Sequence, residues 1–135
     1  MVLVSCQKID VINVAYEGDD LVFRFNHKHT NVAIANLQVE RIDCEESCIY
    51  LDLRAKTADD GEFLYSDIPN NYYVYGAPLE HMNVVVSPRT LLPGIYSAGG
   101  SALLNQNQGK TFVARFEIFV AEGGQVLVRP FEESI

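Results

Sequence analysis

Leu91-Leu92-Pro93-Gly94-Ile95-Tyr96 lies between two runs of alternating apolar residues, Asn83 to Val86 and Thr111 to Val120. Pro93 pre-sets φ for the first corner of a tight turn, and Gly94 is expected to supply the positive φ that a type II turn requires next. Residues 92–95 therefore read as a sharp corner. Tyr96 then enters the following strand, where its ring can be buried while its hydroxyl returns to backbone upstream, the arrangement of a tyrosine corner. This stretch points to an all-β chain, an immunoglobulin-like antiparallel β-sandwich.

On either side of this corner, period-two alternation dominates. Leu21, Phe23 and Phe25 share one face and Val22, Arg24 and Asn26 the other, while Ile49, Leu51 and Leu53 alternate with Tyr50, Asp52 and Arg54. Similar patterns run through Ile9, Val11 and Asn13, through Val32 and Ile34 with a phase change before Leu37 and Val39, and through Phe112 to Val120. About eight strands are expected, with turns at Gly18, Gly61, Gly76, Gly109 and Gly123-Gly124. No segment carries an apolar stripe at helical spacing, so little helix is expected beyond a turn within Asp67 to Tyr75. The tail from Arg129 reads as an edge strand or a fraying end.

The 135 residues suit one domain, residues 1–135, large enough to bury a core without staples. With 10 Lys+Arg against 18 Asp+Glu the net charge is −8, which repels nucleic acid phosphates and anionic lipid. No apolar run approaches the ~20 residues of a membrane span, and the first residues lack the make-up of a secretion signal. Cys6, Cys44 and Cys48 make an odd count, which suits free thiols in a reducing compartment, so the expected location is cytoplasmic. Cys44 and Cys48 do not match a structural zinc spacing, and no metal or other cofactor is expected.

Catalytic signals are weak. His27 and His29 stand at i and i+2 without a third ligand, Ser5 and Ser87 lack a nucleophile-elbow context, and no phosphate-binding loop occurs. A carboxylate pair such as Asp52 with Glu117 can be nominated, but solvent-facing charges paired with arginines explain it as well. The more informative cluster is Asn70-Asn71-Tyr72-Tyr73-Val74-Tyr75-Gly76. Tyrosine faces stack on the C–H side of sugars while amides exchange hydrogen bonds with hydroxyls; the competing reading has Tyr73 and Tyr75 capping the core. A second polar face comprises Tyr50, Asp52 and Arg54, with Arg115 and Glu117 as neighbours if those strands adjoin. The candidate ligand-binding residues are thus Asn71, Tyr72, Tyr73, Tyr75, Tyr50, Asp52 and Arg54.

Gly18-Asp19-Asp20-Leu21-Val22-Phe23-Arg24-Phe25, the strand near Val32 to Val39, the Leu91 to Tyr96 corner and the closing Phe116-Glu117-Ile118-Phe119-Val120 together resemble one family across roughly Gly18 to Val120. It is the C-terminal domain of the ATP-binding subunit of ABC transporters that export O-antigen polysaccharide, the Wzt type. The resemblance implies a non-enzymatic carbohydrate-binding domain, cytoplasmic beside the inner membrane, with transporter subunits as partners and a homodimeric state. No Walker A motif occurs in this chain, and the family assigns no ligand contacts to particular positions here. The other class of answer is a structural or protein-interaction β-sandwich that docks through an edge strand.

Overall fold

The computed structural model describes residues 8–25, 32–45, 48–104 and 108–132, without the side chains of residues 8–12, 104 and 108. His27, His29, Ser5 and Cys6 lie outside the described residues. The described residues form ten strands: β1 (Lys8–Glu17), β2 (Asp20–Phe25), β3 (Val32–Arg41), β4 (Cys48–Ala55), β5 (Ser66–Ile68), β6 (Tyr72–Val74), β7 (Met82–Val86), β8 (Gly94–Leu104), β9 (Gln108–Val120) and β10 (Val126–Pro130). The two beyond the expected eight include the three-residue β5 and β6, too short to register as alternation. The helical content among the described residues is one 3₁₀ turn, Pro69–Asn71, inside the segment where a turn was expected.

A large sheet runs β9-β8-β3-β4-β7, with β10 added to β9 and β5 to β3, and a small sheet runs β1-β2-β6. The pairing is antiparallel except at the start of β1, where Lys8 to Asp10 pair parallel with Thr111 to Val113 before the strand crosses to β2. The product is an all-β sandwich. Its core is a chain of rings: Tyr73 stacks near Phe23 at 6.4 Å, Phe23 meets Phe116 edge-on at 5.7 Å, Phe116 stacks on Tyr96 at 5.6 Å, and Tyr96 meets Tyr50 edge-on at 5.3 Å. Aromatic pairs in these geometries add to the burial of the rings themselves.

The tyrosine corner is present, with the Tyr96 hydroxyl donating to Leu92 O at 2.6 Å from a ring that is fully buried. Gly94 differs from expectation. It already belongs to β8 and is not among the residues at positive φ, so the corner is not a type II turn centred on Pro93-Gly94. Its lack of a side chain serves a close approach, since a Cβ there would sit 2.7 Å from Arg41 Nε. Arg41 is itself held by Asp43, whose Oδ1 accepts from Nε at 2.7 Å. That partner keeps the Asp43 carboxyl below its ordinary range.

Register slips help set the sheet's faces, and two of them decide where the residues of β3 and β4 point. The register of β3 against β8 slips between Ile34 and Asn36, the phase change expected there, and keeps Ile34, Leu37 and Val39 all in the core. The second slip, between Val39 and Glu40 against β4, was not legible. It turns Tyr50 inward beside Leu51 and Leu53 instead of outward with Asp52 and Arg54. Cys44 and Cys48 are joined in a disulfide rather than left as free thiols. The β3–β4 hairpin, which pairs Arg41 with Cys48, brings their Cα atoms to 6.6 Å, so this pair lends no support to a reducing compartment. No helix among the described residues is long and apolar enough to cross a membrane.

Candidate functional site

The outer face of the large sheet, away from the small sheet, carries three cross-strand rows. The first is Asn83–Arg54–Asn36–Ser101–Thr111, the second Val86–Asp52–Gln38–Gly99–Val113, and the third Ile49–Glu40–Ser97–Arg115. Along β8 the outward positions are Ser97, Gly99 and Ser101, all small, whereas β3 presents Asn36, Gln38 and Glu40, β4 presents Ile49, Asp52 and Arg54, and β9 presents Thr111, Val113 and Arg115. The sheet is therefore hollowed along β8. The resulting trough encloses about 580 Å³ and ends at Phe63, from the β4–β5 connection.

Its polar wall is fixed before any ligand arrives. Asn36 Oδ1 accepts from the Ser101 backbone N–H at 2.8 Å and from the Ser101 hydroxyl. Arg54 donates to both Asp52 oxygens, from Nε at 3.3 Å and from an Nη at 3.1 Å, and Gln38 Nε2 reaches Asp52 Oδ2 at 3.4 Å. Among the described residues Asp52 and Ser66 are the buried polar ones, so this partnering is what makes the burial of Asp52 tolerable. Phe63 is 59% exposed, a large ring held open to solvent at the end of a polar trough. The isolated bridge Thr57–Phe63 and the bond from Ala58 N to Glu62 O at 2.7 Å position it on a short hairpin.

The candidate residues named from sequence divide between three places. Asp52 and Arg54 line the trough, and Arg115 lies in the third row of the same face, outside the trough's lining. Tyr50 and Tyr73 are core rings; the Tyr73 hydroxyl donates to Ala77 O at 2.8 Å, and the Arg89 guanidinium covers Tyr50 at 4.4 Å. Tyr75 donates to Arg89 O at 2.6 Å, with Tyr50 O also in reach at 3.2 Å. Burial, foremost, pushes the hydroxyls of Tyr73 and Tyr75 up to about 12, and it raises that of Tyr96 as well. Tyr72 sits on edge strand β6 with Arg24 over its ring at 5.4 Å, and Asn71 Oδ1 accepts from Val32 N at 3.4 Å. These tyrosines hold the end of the sandwich together, with Tyr75 lining a separate recess of about 300 Å³ there.

The residues that sequence reasoning missed are Asn36, Gln38, Ser97, Gly99, Ser101 and Phe63. A signal was available in the alternation Asn36-x-Gln38-x-Glu40 opposite Ser97-x-Gly99-x-Ser101, but which strand lies beside which is a tertiary fact. The nominated pair Asp52 and Glu117 is split by β3 and β8. Three strand spacings separate them across the sheet, and Glu117 lies four residues along β9 from Val113, which stands in Asp52's row, so the two are roughly 20 Å apart, wider than the separations at which paired carboxylates hydrolyse glycosides. Glu117 is engaged with Arg129, at 2.9 Å from Nε. No group of three or more metal-ligating side chains occurs among the described residues.

Sheets, corner and trough define the class: an all-β sandwich with a preorganised polar trough on one sheet. Comparison with family models, with curated proteins and with solved structures finds no match to this chain.

Proposed function

We propose that this protein is a non-catalytic carbohydrate-binding domain whose ligand lies in the trough along β8. The observation that carries the reading is the joint presence of a hydrogen-bonded polar wall, a floor of Ser97, Gly99 and Ser101, and the exposed ring of Phe63 at one end. Hydroxyl-rich rings need donors and acceptors side by side, which Asn36, Gln38, Asp52 and Arg54 supply, and an aromatic face for their C–H side. In the trough Asp52 is neutralised by Arg54, and an overall charge of −8 disfavours polyanions, so the ligand is a neutral oligosaccharide. The likeness to the O-antigen exporters extends the proposal to a polysaccharide read beside a transporter, by a pair of such domains.

Titration of ¹⁵N-labelled protein with a panel of neutral oligosaccharides tests this. Amide shifts are expected at Asn36, Gln38, Gly99 and Ser101, with little dependence on salt, and Phe63→Ala should weaken binding about tenfold. Shifts confined to Tyr72 through Tyr75, or no shifts with any sugar, would discard the reading. A protein-interaction domain has its own support in β7, an edge strand whose Val84 and Val85 are exposed and whose free backbone groups can take another strand. In that case Val85→Lys would abolish partner capture and leave sugar titrations unchanged.

A further inference from the structure

The edge of β9 that β8 leaves open is used twice. β1 pairs with Thr111 to Val113 and then departs for the small sheet, while β10 takes the same edge from Phe116 to Val120. Where the two part, β1 beyond Asp10 keeps β2 and β10 keeps β9 as their strand partners among the described residues, so each retains one edge of unpaired backbone groups. A cleft of about 670 Å³ opens there, lined by Tyr16 and Asp19 from the β1–β2 hairpin, by Val126 and Leu127 of β10, and by Leu91. Tyr16, Asp19 and Leu91 also line the recess at the tyrosine end, so the two cavities join into one groove.

Three features of the groove are left open by the fold. Val126 is 44% exposed and its cross-strand neighbour Val120 54%, so apolar surface lies in the cleft and continues past it. Tyr16 packs its ring against the core, yet its hydroxyl has no hydrogen-bond partner among the described residues, unlike those of Tyr73, Tyr75 and Tyr96. Asp19 and Asp20 likewise carry no side-chain hydrogen bond or ion pair among the described residues, whereas the adjacent Glu17 is held by Arg24. The cation nearest in the recess, Arg89, is engaged over the Tyr50 ring. Unpaired strand edges are matched by another extended chain, which brings donors and acceptors at the same spacing. The two open carboxylates choose its charge, and a net charge of −8 repels both a second copy and an anionic lipid surface.

We propose that this groove docks a short extended segment of a partner protein, its backbone along the unpaired edge of β10, an apolar side chain among Tyr16, Leu91 and Leu127, and a lysine or arginine beside Asp19 and Asp20. The site is separate from the trough and does not depend on what the trough binds.

The test selects a random peptide library displayed on phage against the intact protein, then titrates the enriched peptides into ¹⁵N-labelled protein. Enriched sequences are expected to combine Lys or Arg with Val, Ile, Leu or Phe and to shift the amides of Tyr16, Asp19, Val126 and Leu127. Asp19→Asn with Asp20→Asn, which keeps turn-forming side chains, should weaken binding about 5- to 10-fold, and replacing the peptide's apolar residue by serine about 10-fold. Asp67→Asn with Glu80→Gln removes the same charge from exposed positions elsewhere and should change affinity less than about 2-fold. No enrichment, peptides without a basic residue, shifts confined to β7 or to the trough, equal weakening by the two charge variants, or a dimer of this chain that covers the groove would each overturn the proposal. Sugar titrations read the trough amides instead, so failure here leaves the carbohydrate-binding reading standing.

Discussion

Two polar-aromatic regions of this molecule look alike in sequence and do opposite things. The tyrosine end, built from Tyr50, Tyr73, Tyr75 and Tyr96, turns its rings inward and spends each hydroxyl of Tyr73, Tyr75 and Tyr96 on a backbone carbonyl. The trough along β8 turns polar side chains outward, satisfies them among themselves and leaves Phe63 in solvent. A buried hydroxyl must find a protein partner, so tyrosines near a core become struts. Polar groups that lie on an open sheet face remain able to exchange a partner for a ligand.

That contrast can be broken at several points. The largest effect is expected from Gly100→Val, which forces a side chain onto Asn36 O and should cost about 3 kcal/mol in chemical denaturation. Next comes alkaline pH. Tyr73 and Tyr75 titrate near 12 in the folded chain and near 10 when unfolded, so the folded state keeps protons that the unfolded state gives up. Their contribution is intact below pH 10 and is lost as pH rises through 12. It is about 2 kcal/mol for Tyr73 and less for the more exposed Tyr75. Denaturation curves at successive pH values should show the decline, and Tyr73→Phe should flatten it.

Tyr96→Phe ranks third, because it leaves Leu92 O without its 2.6 Å donor; a loss of about 1–2 kcal/mol in thermal or denaturant unfolding is expected. The smallest stability effects belong to the trough. Gly99→Ala and Phe63→Ala should each stay within about 1 kcal/mol of the parent in the same assay, while Phe63→Ala weakens sugar binding in NMR titration. A trough variant that unfolds the protein as Gly100→Val does would erase the distinction between the two regions.

Much of the architecture was legible because burial writes a period of two into each strand. Leu21, Phe23 and Phe25, the phase change before Leu37, and the Tyr96 hydroxyl reaching back to Leu92 all follow from local chemistry. The bulge opposite Val39 was not legible, and it moved Tyr50 from the polar face into the core. Nor was the Cys44–Cys48 pairing, which depends on the β3–β4 hairpin closing where it does. Asp52 and Arg54 were nominated correctly as outward-facing neighbours, but Asn36, Gln38 and Ser101 became part of their surroundings through strand order alone.

Composition and alternation by themselves determined that this chain folds as β-strands around a buried aromatic centre, since apolar spacing and turn residues act within a few positions of one another. Strand order and register slips, which set residues tens of positions apart side by side, decided which polar residues share a face. Hydrophobic burial specifies which way a side chain points, but the neighbour it meets across the sheet is chosen by the pairing of whole strands.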